Sequence, residues 1–174
     1  MKTKQTIILI ATVMLTPMVS YGGKIEFSFG PVEDFRDFSV SGLTETRTLP
    51  LFEAEIAEEM ESSAKKYLGE DETLHIHITD IDMAGDIQPW RNYRNADIRY
   101  IENLYPPRLT FTYEVKDGDG NITSSGEENI ADLSFMMNVL APMQSRQKNF
   151  FYESTLLRDW MRKNYRERTQ VAAK

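Results

Sequence analysis

Strict alternation of apolar and polar residues is the feature that most constrains how this chain folds. From Leu74 to Thr79 the apolar side chains occupy every second position, and the pattern returns from Leu109 to Lys116. Because successive side chains of a β-strand point to opposite faces, each stretch predicts a strand with one buried face. A similar alternation from Lys24 to Phe29 predicts a third strand. A sheet with one apolar face needs a second layer to cover it.

Two segments with helical spacing can supply that layer. The first begins at Pro50, a residue suited to the first position of a helix, and Gly69 is its expected C-cap. The second runs from Phe151 to Arg168. Their apolar stripes consist of Phe52, Ile56, Met60 and Ala64 in the first and Leu156, Leu157, Trp160, Met161 and Tyr165 in the second. The many glutamates of the first helix are interpreted as a solvated surface.

The remaining segments are read as turns and connections. Residues 117–121 predict a hairpin loop, because Asp, Gly and Asn suit tight turns. A short strand is expected near residues 97–102 and a loop at residues 32–49. Residues 133–143 are either a short helix or a buried loop. The order of elements predicts an α+β fold, a mostly antiparallel four- or five-stranded sheet with two amphipathic helices packed on one face.

The start of the chain has the organisation of a cleavable signal peptide, assigned to residues 1–22. A basic start from Met1 to Lys4 precedes an apolar run from Thr6 to Val19. The small residues of Ser20-Tyr21-Gly22 permit cleavage before Gly23, with cleavage after Ser20 as the competing site. The apolar run is shorter than the roughly 20 residues of a membrane-spanning helix. We therefore expect a periplasmic protein without a membrane span after processing.

Charge and composition exclude several classes of protein. The formal net charge is −7, and removal of Lys2 and Lys4 with the signal peptide would make it −7 minus 2, or −9. Such an acidic chain is not expected to bind nucleic acid. The absence of cysteine excludes disulfides, thiol catalysis, cysteine-bound zinc and a lipid anchor on cysteine. Residues 23–168 are predicted to form a single domain, with a frayed tail at residues 169–174.

The only histidines lie on the predicted strand that ends in an acidic turn. His75 and His77 share one face, and strict alternation places Asp80 on the opposite face. The candidates for a third metal ligand are Asp82, Asp86 and the glutamates. Solvent-facing histidines are the favoured interpretation, so no metal, cofactor or catalytic residue is assigned. Asp80, Asp82 and Asp86 are an alternative acid pair or cation site, although Asp at a strand end also caps turns.

A second candidate cation site has the spacing of a calcium-binding loop. Asp117, Asp119, Asn121 and Glu128 match the ligand positions, but Ile122 stands where such a loop needs glycine. The flanking segments read as strands, so the hairpin is the favoured interpretation. The chain has no nucleophile elbow, phosphate-binding loop, dinucleotide fingerprint or zinc-protease helix.

The long connection between the two clearest strands is rich in tryptophan and arginine. It contains the residues predicted to contact a ligand or partner: Trp90, Arg91, Arg94, Arg99 and Arg108. Long ordered loops often carry function, and tryptophan and arginine dominate binding hot spots. The alternative is a loop folded back on the sheet, with Trp90 buried and the arginines paired to acids.

Two function hypotheses follow from these candidates, beside a purely structural protein in which neither surface has a function. The favoured one is a non-enzymatic binding or accessory module for an unknown periplasmic protein or small ligand. The other is a metal-dependent hydrolase centred on His75, His77 and Asp82.

An ordered set of short motifs resembles a family of small exported bacterial proteins catalogued as domain of unknown function 3016. The motifs are Thr79 to Gly85, Pro89-Trp90-Arg91, Asp97-Ile98-Arg99, Tyr105 to Leu109, Asp117 to Asn121, Gly126-Glu127-Glu128 and Leu157 to Trp160. The resemblance covers nearly all of the mature chain. It implies export and a single domain, and it implies no activity, cofactor or catalytic residue.

Overall fold

A computed structural model describes residues 23–40, 42–94, 96–137 and 148–172, with side chains through Tyr165. The predicted signal peptide lies outside these residues, as does the part of the segment at 133–143 that follows Met137. The described elements are β1 (Lys24–Phe29), α1 (Glu45–Tyr67), β2 (Thr73–Asp82), β3 (Asp86–Ile87), β4 (Arg99–Tyr100), β5 (Arg108–Lys116), β6 (Ile122–Ala131) and α2 (Phe151–Ala172). Short 3-10 turns occur at Val32–Asp34 and Phe135–Met137.

The main sheet has four strands in the order β1-β2-β5-β6. β1 runs parallel to β2, and the pairs β2–β5 and β5–β6 are antiparallel. The predicted α+β fold with a mostly antiparallel sheet is therefore confirmed. The strand expected near residues 97–102 is shorter than predicted, and β4 pairs only with β3 in a separate two-stranded sheet.

Both helices pack on the apolar face of the main sheet. α1 buries Phe52, Ile56 and Met60, and α2 buries Leu157 and Met161 against the same cluster. Phe52 is the centre of an aromatic group, with ring centroids 5.5 Å from Phe38 and 5.1 Å from Phe150. Burial of one such side chain contributes about 2 kcal/mol. The opposite face of the sheet carries polar side chains.

The prediction that the first helix begins at Pro50 is wrong. α1 begins at Glu45, and the carbonyl of Thr44 accepts a hydrogen bond from the Thr48 N–H at 2.9 Å. A complete turn therefore forms before Pro50, whose missing N–H removes only the bond to the carbonyl of Thr46. Consequently residues 32–49 are not entirely a loop.

The predicted C-cap at Gly69 is also wrong, because the capping residue is Leu68, in an extended conformation with φ −98° and ψ 151°. Gly69 has no positive φ. Its N–H instead donates a hydrogen bond to the Glu72 carboxylate at 2.9 Å. α2 continues to Ala172, through most of the tail expected to fray.

Part of the glutamate-rich surface of α1 holds the start of α2 rather than facing water. The Glu55 carboxylate accepts hydrogen bonds from the N–H groups of Asn149 and Phe150, at 3.1 and 2.9 Å. Glu59 forms ion pairs with Lys148 and Arg158. Asn149 and Phe150 directly precede α2, so these contacts fix where the helix begins, and a carboxylate near a helix N-terminus is also favourable for the helix dipole.

Candidate functional site

A bulge in β2 decides where the acidic residues at the end of this strand point. Ile78 pairs with Phe111 and Asp80 pairs with Thr110, so Thr79 is left without a partner in the register. The extra residue shifts the alternation and places Ile81 in the core. The prediction that Asp80 lies opposite the histidines is therefore wrong: Asp80 and Asp82 are on the polar face, as the histidines are.

The aspartates nevertheless do not join the histidines in a site. Arg36 forms ion pairs with Asp80 and Asp82, at 3.6 and 3.5 Å. Burial raises the pKa of Asp82 and the charge of Arg36 opposes that shift. Asp82 is roughly 16 Å along the strand from His77. No three histidine, aspartate or glutamate side chains among the described residues are grouped to hold a metal ion.

The predicted hairpin loop between β5 and β6 is confirmed. Asp117 Oδ1 accepts hydrogen bonds from the N–H groups of Asp119 and Asn121 at 3.0 and 2.8 Å, and Gly120 has φ +84°. Hydrogen bonds from Asn121 lower the pKa of Asp117. Glu128 pairs with Phe111, about 17 Å along the sheet from the loop. The carboxylate of Asp117 therefore organises the turn, and the fourth calcium ligand is out of reach.

Gly85 directs the chain from the main sheet into the long connection. Its φ is +78°, and a Cβ added at this position would lie 2.3 Å from the carbonyl oxygen of Tyr100. Its N–H donates to the carbonyl of Tyr105 at 2.9 Å. Only glycine allows this close approach. We call the described residues between β3 and β5, 88–94 and 96–107, the Trp90 loop.

Arg99 clamps the Trp90 loop to the domain. Its guanidinium binds both carboxylate oxygens of Asp37 at 2.7 Å and donates to the carbonyls of Gly85 and Ser39, each at 3.0 Å. The Arg99 side chain is only 10% exposed. Asp37 is itself bonded to the end of β2 through the backbone of Ile81 and Met83. A bidentate pair of this kind fixes position, so Arg99 is placed as a structural residue and not at a contact surface.

Arg91 also contributes to the base of the Trp90 loop. Its guanidinium donates to Glu102 at 2.7 Å and lies 4.8 Å from the centre of the Tyr100 ring. Gln88, which is buried, donates to the same carboxylate at 3.3 Å. Arg108, at the start of β5, contacts Asn129 at 3.4 Å. Three of the four arginines predicted to face a partner thus have partners within the domain.

The tip of the Trp90 loop, defined here as Trp90, Tyr93 and Arg94, is exposed to solvent. Trp90 is 64% exposed and Tyr93 is 88% exposed. Arg94 is also exposed, and in the described part of the chain its side chain makes no ion pair. The alternative with Trp90 buried is therefore wrong for Trp90, whereas the pairing of arginines with acids that it included holds for Arg91 and Arg99.

The structure adds one residue that the sequence pattern did not single out. Glu153 lies in the first turn of α2, is 1% exposed, and accepts a hydrogen bond from the Ala84 N–H at 2.8 Å. Burial raises the pKa of Glu153 to about 7, and the bond from Ala84 and the charge of Arg99 oppose the shift. An acidic residue in a first helical turn is ordinary in sequence, so nothing there indicated burial.

Comparisons with known proteins identify a family for this chain. No described helix has the length and hydropathy of a membrane-spanning segment. No curated protein and no solved structure was found to match the chain. A family model described as protein of unknown function (DUF3016) matches residues 23–163.

Proposed function

Since the chain belongs to the family of proteins of unknown function DUF3016, we propose its function from its most distinctive surface: it is a non-enzymatic module that binds another protein through the tip of the Trp90 loop. The observation that carries the proposal is the exposure of Trp90 and Tyr93 on a loop whose base is clamped by Arg99. Exposed aromatic side chains on a positioned loop are characteristic of recognition surfaces.

The clamped base favours binding for an energetic reason. A loop that is disordered before it binds loses conformational freedom in the complex, and that loss opposes association. Here the β3–β4 pairing and the Arg91–Glu102 contact already hold the ends of the loop. Tryptophan and tyrosine add large contact areas while each immobilises only two side-chain torsions. Less of the contact energy is therefore lost to ordering the loop.

The chemistry of the tip indicates the kind of partner. Trp90 and Tyr93 project into solvent, which suits a protein surface with shallow apolar pockets. Arg94 beside them suits an acidic group on that surface. Because the chain carries a net charge of −7, an acidic partner would be repelled by most of the molecule and attracted at this tip.

We place the partner in the periplasm because the organisation of residues 1–22 is that of a cleavable signal peptide. The test is expression of the full chain in a bacterial host, followed by fractionation and intact-mass measurement. Recovery from the periplasm with an N-terminus at Gly23 or Tyr21 would support export. Recovery of the unprocessed chain from the cytoplasm would contradict it.

Binding is tested by a double substitution, Trp90→Ala with Tyr93→Ala, against a matched control. Ile122 is the first residue of β6, beside the hairpin and at the end of the sheet away from the Trp90 loop. Ile122→Ala therefore removes an exposed apolar side chain from a different surface. A partner is first captured by crosslinking in the periplasm and purified, and its affinity is then measured by calorimetry. Loss of two hot-spot residues should weaken binding by about 30-fold or more, whereas the control should bind as the unchanged protein does. Equal affinity of the double variant would refute the proposal.

A further inference from the structure

The polar face of the main sheet pairs each histidine with a side chain of the neighbouring strand. Because β1 runs parallel to β2, Glu26 lies beside His75 and Ser28 lies beside His77. The Glu26 carboxylate is 3.1 Å from Nδ1 of His75, and the Ser28 hydroxyl is 2.9 Å from Nδ1 of His77. Both rings are thus held through the same nitrogen, from the same side.

This arrangement occupies Nδ1 of each ring and leaves Nε2 for a ligand. A carboxylate oxygen accepts the N–H at Nδ1 of His75, which puts the lone pair of that imidazole on Nε2. The hydroxyl of Ser28 can accept from Nδ1 of His77 in the same way. Histidines that bind metal through one nitrogen commonly donate the other N–H to a carboxylate or another oxygen, which orients the ring.

The surroundings of the pair favour a cation. His75 and His77 lie in a shallow groove of about 480 Å³ that is also lined by Glu114 and Glu127. Glu114 is directly opposite His75 on β5, and Thr112 lies between His77 and Glu127. Glu114 also forms an ion pair at 3.4 Å with Lys116, which lines the same groove, so two carboxylates face one cation there, and the described arrangement adds no third ligand.

We propose that His75 and His77 bind one divalent transition-metal ion, of the zinc and copper class, through their Nε2 atoms. Imidazole nitrogen is a preferred ligand of these ions. Glu26 and Ser28 are positioning residues that fix the rings, and water completes the coordination. The site lies on the sheet face opposite the helices and uses no residue of the Trp90 loop. A test of metal binding is therefore independent of the proposed protein binding.

The first test is calorimetric titration of the purified mature protein with zinc chloride and, separately, copper chloride. The unchanged protein should bind one ion per chain, with copper bound more tightly than zinc. His75→Ala and His77→Ala should each weaken binding by about 10-fold or more. Absence of saturable binding below about 1 mM, or unchanged affinity in both histidine variants, would overturn the proposal.

The positioning role of Glu26 has its own matched control. Glu26→Ala should weaken metal binding by about 10-fold, whereas Glu53→Ala, which removes the same charge from the exposed surface of α1, should not. Equal effects of the two substitutions would show that only net charge matters and would remove Glu26 from the site. Nitrogen NMR of the imidazoles gives an independent readout: zinc should shift Nε2 of both rings, and binding at Nδ1 would contradict the proposal.

Discussion

The base and the tip of the Trp90 loop use the same residue types for opposite purposes. At the base, the Arg99 side chain is 10% exposed and is bound to Asp37 and to two carbonyls. At the tip, Arg94 is exposed beside Trp90 and Tyr93. The difference teaches that an arginine- and aromatic-rich sequence does not by itself mark a contact surface, because some of these side chains hold the surface in place.

The turn that leads into the base of the Trp90 loop is closely packed against the domain. Gly85 touches Tyr100, and the buried Glu153 carboxylate holds Ala84 next to that turn. Substitutions at the base should therefore change the stability of the fold, whereas substitutions at the tip should change only binding. The predictions below test this division, beginning with the largest expected effect.

Gly85→Ala should be the most damaging change at the base. It requires an alanine at positive φ with its Cβ 2.3 Å from a backbone oxygen, so the β3–β4 pairing has to shift. We expect a loss of about 4 kcal/mol in the free energy of unfolding, measured with urea. Gly120→Ala is the control, because it has a similar φ of +84° but no atom within 4 Å. Similar losses for the two variants would show that close packing at Gly85 is unimportant.

Arg99→Ala should remove about 3 kcal/mol, because it leaves the Asp37 carboxylate without its bidentate partner in a partly buried site. Arg94→Ala, the same substitution at the tip, should change the free energy of unfolding by less than about 0.5 kcal/mol. Urea denaturation of the two variants measures the contrast directly. If both variants are equally stable, Arg99 does not clamp the loop.

Glu153→Gln should change how stability depends on pH. The pKa of Glu153 is raised from 4.5 to about 7 in the folded protein, so folding favours the protonated form. The stability that this proton contributes is present below the unfolded pKa and is lost as pH rises through the folded pKa. The variant should gain stability relative to the unchanged protein by about 2 kcal/mol between about pH 5 and pH 8. A difference that stays constant across this range would contradict the shift.

Trp90→Ala should have the smallest effect on the fold, less than about 0.5 kcal/mol, because its side chain is mostly in solvent. The circular dichroism spectrum and the urea midpoint should match those of the unchanged protein. A loss above about 1 kcal/mol would place Trp90 in the base of the loop and weaken the proposed division.

The local pattern was sufficient to predict most of the fold. Alternation over Leu109 to Lys116 and the helical spacing from Phe52 to Ala64 identify a strand and a helix, because one buried face imposes a period on each element. The errors occur at boundaries, where single residues decide. Pro50 and Gly69 are each compatible with several positions near a helix end. Tertiary contacts placed the ends of this helix at other residues, Glu45 and Tyr67.

The candidate sites were predicted less well for a physical reason. Alternation cannot anticipate the bulge at Thr79, and therefore not the face of Asp80, since an extra residue in a strand depends on the partner strand. Residue type likewise could not separate Arg99 from Arg94. Asp37, the partner that holds Arg99, lies 62 positions away along the chain, so no local pattern indicates it.

By itself, the sequence determined the class of fold, the absence of cysteine chemistry and the loop in which tryptophan and arginine are concentrated. These properties depend on composition and on periods that extend over neighbouring residues. Only the tertiary structure decided which side chains of the Trp90 loop are structural and which are exposed. It also placed Glu26 and Ser28 beside the histidines. Both decisions depend on register and on contacts between distant segments, which no local pattern contains.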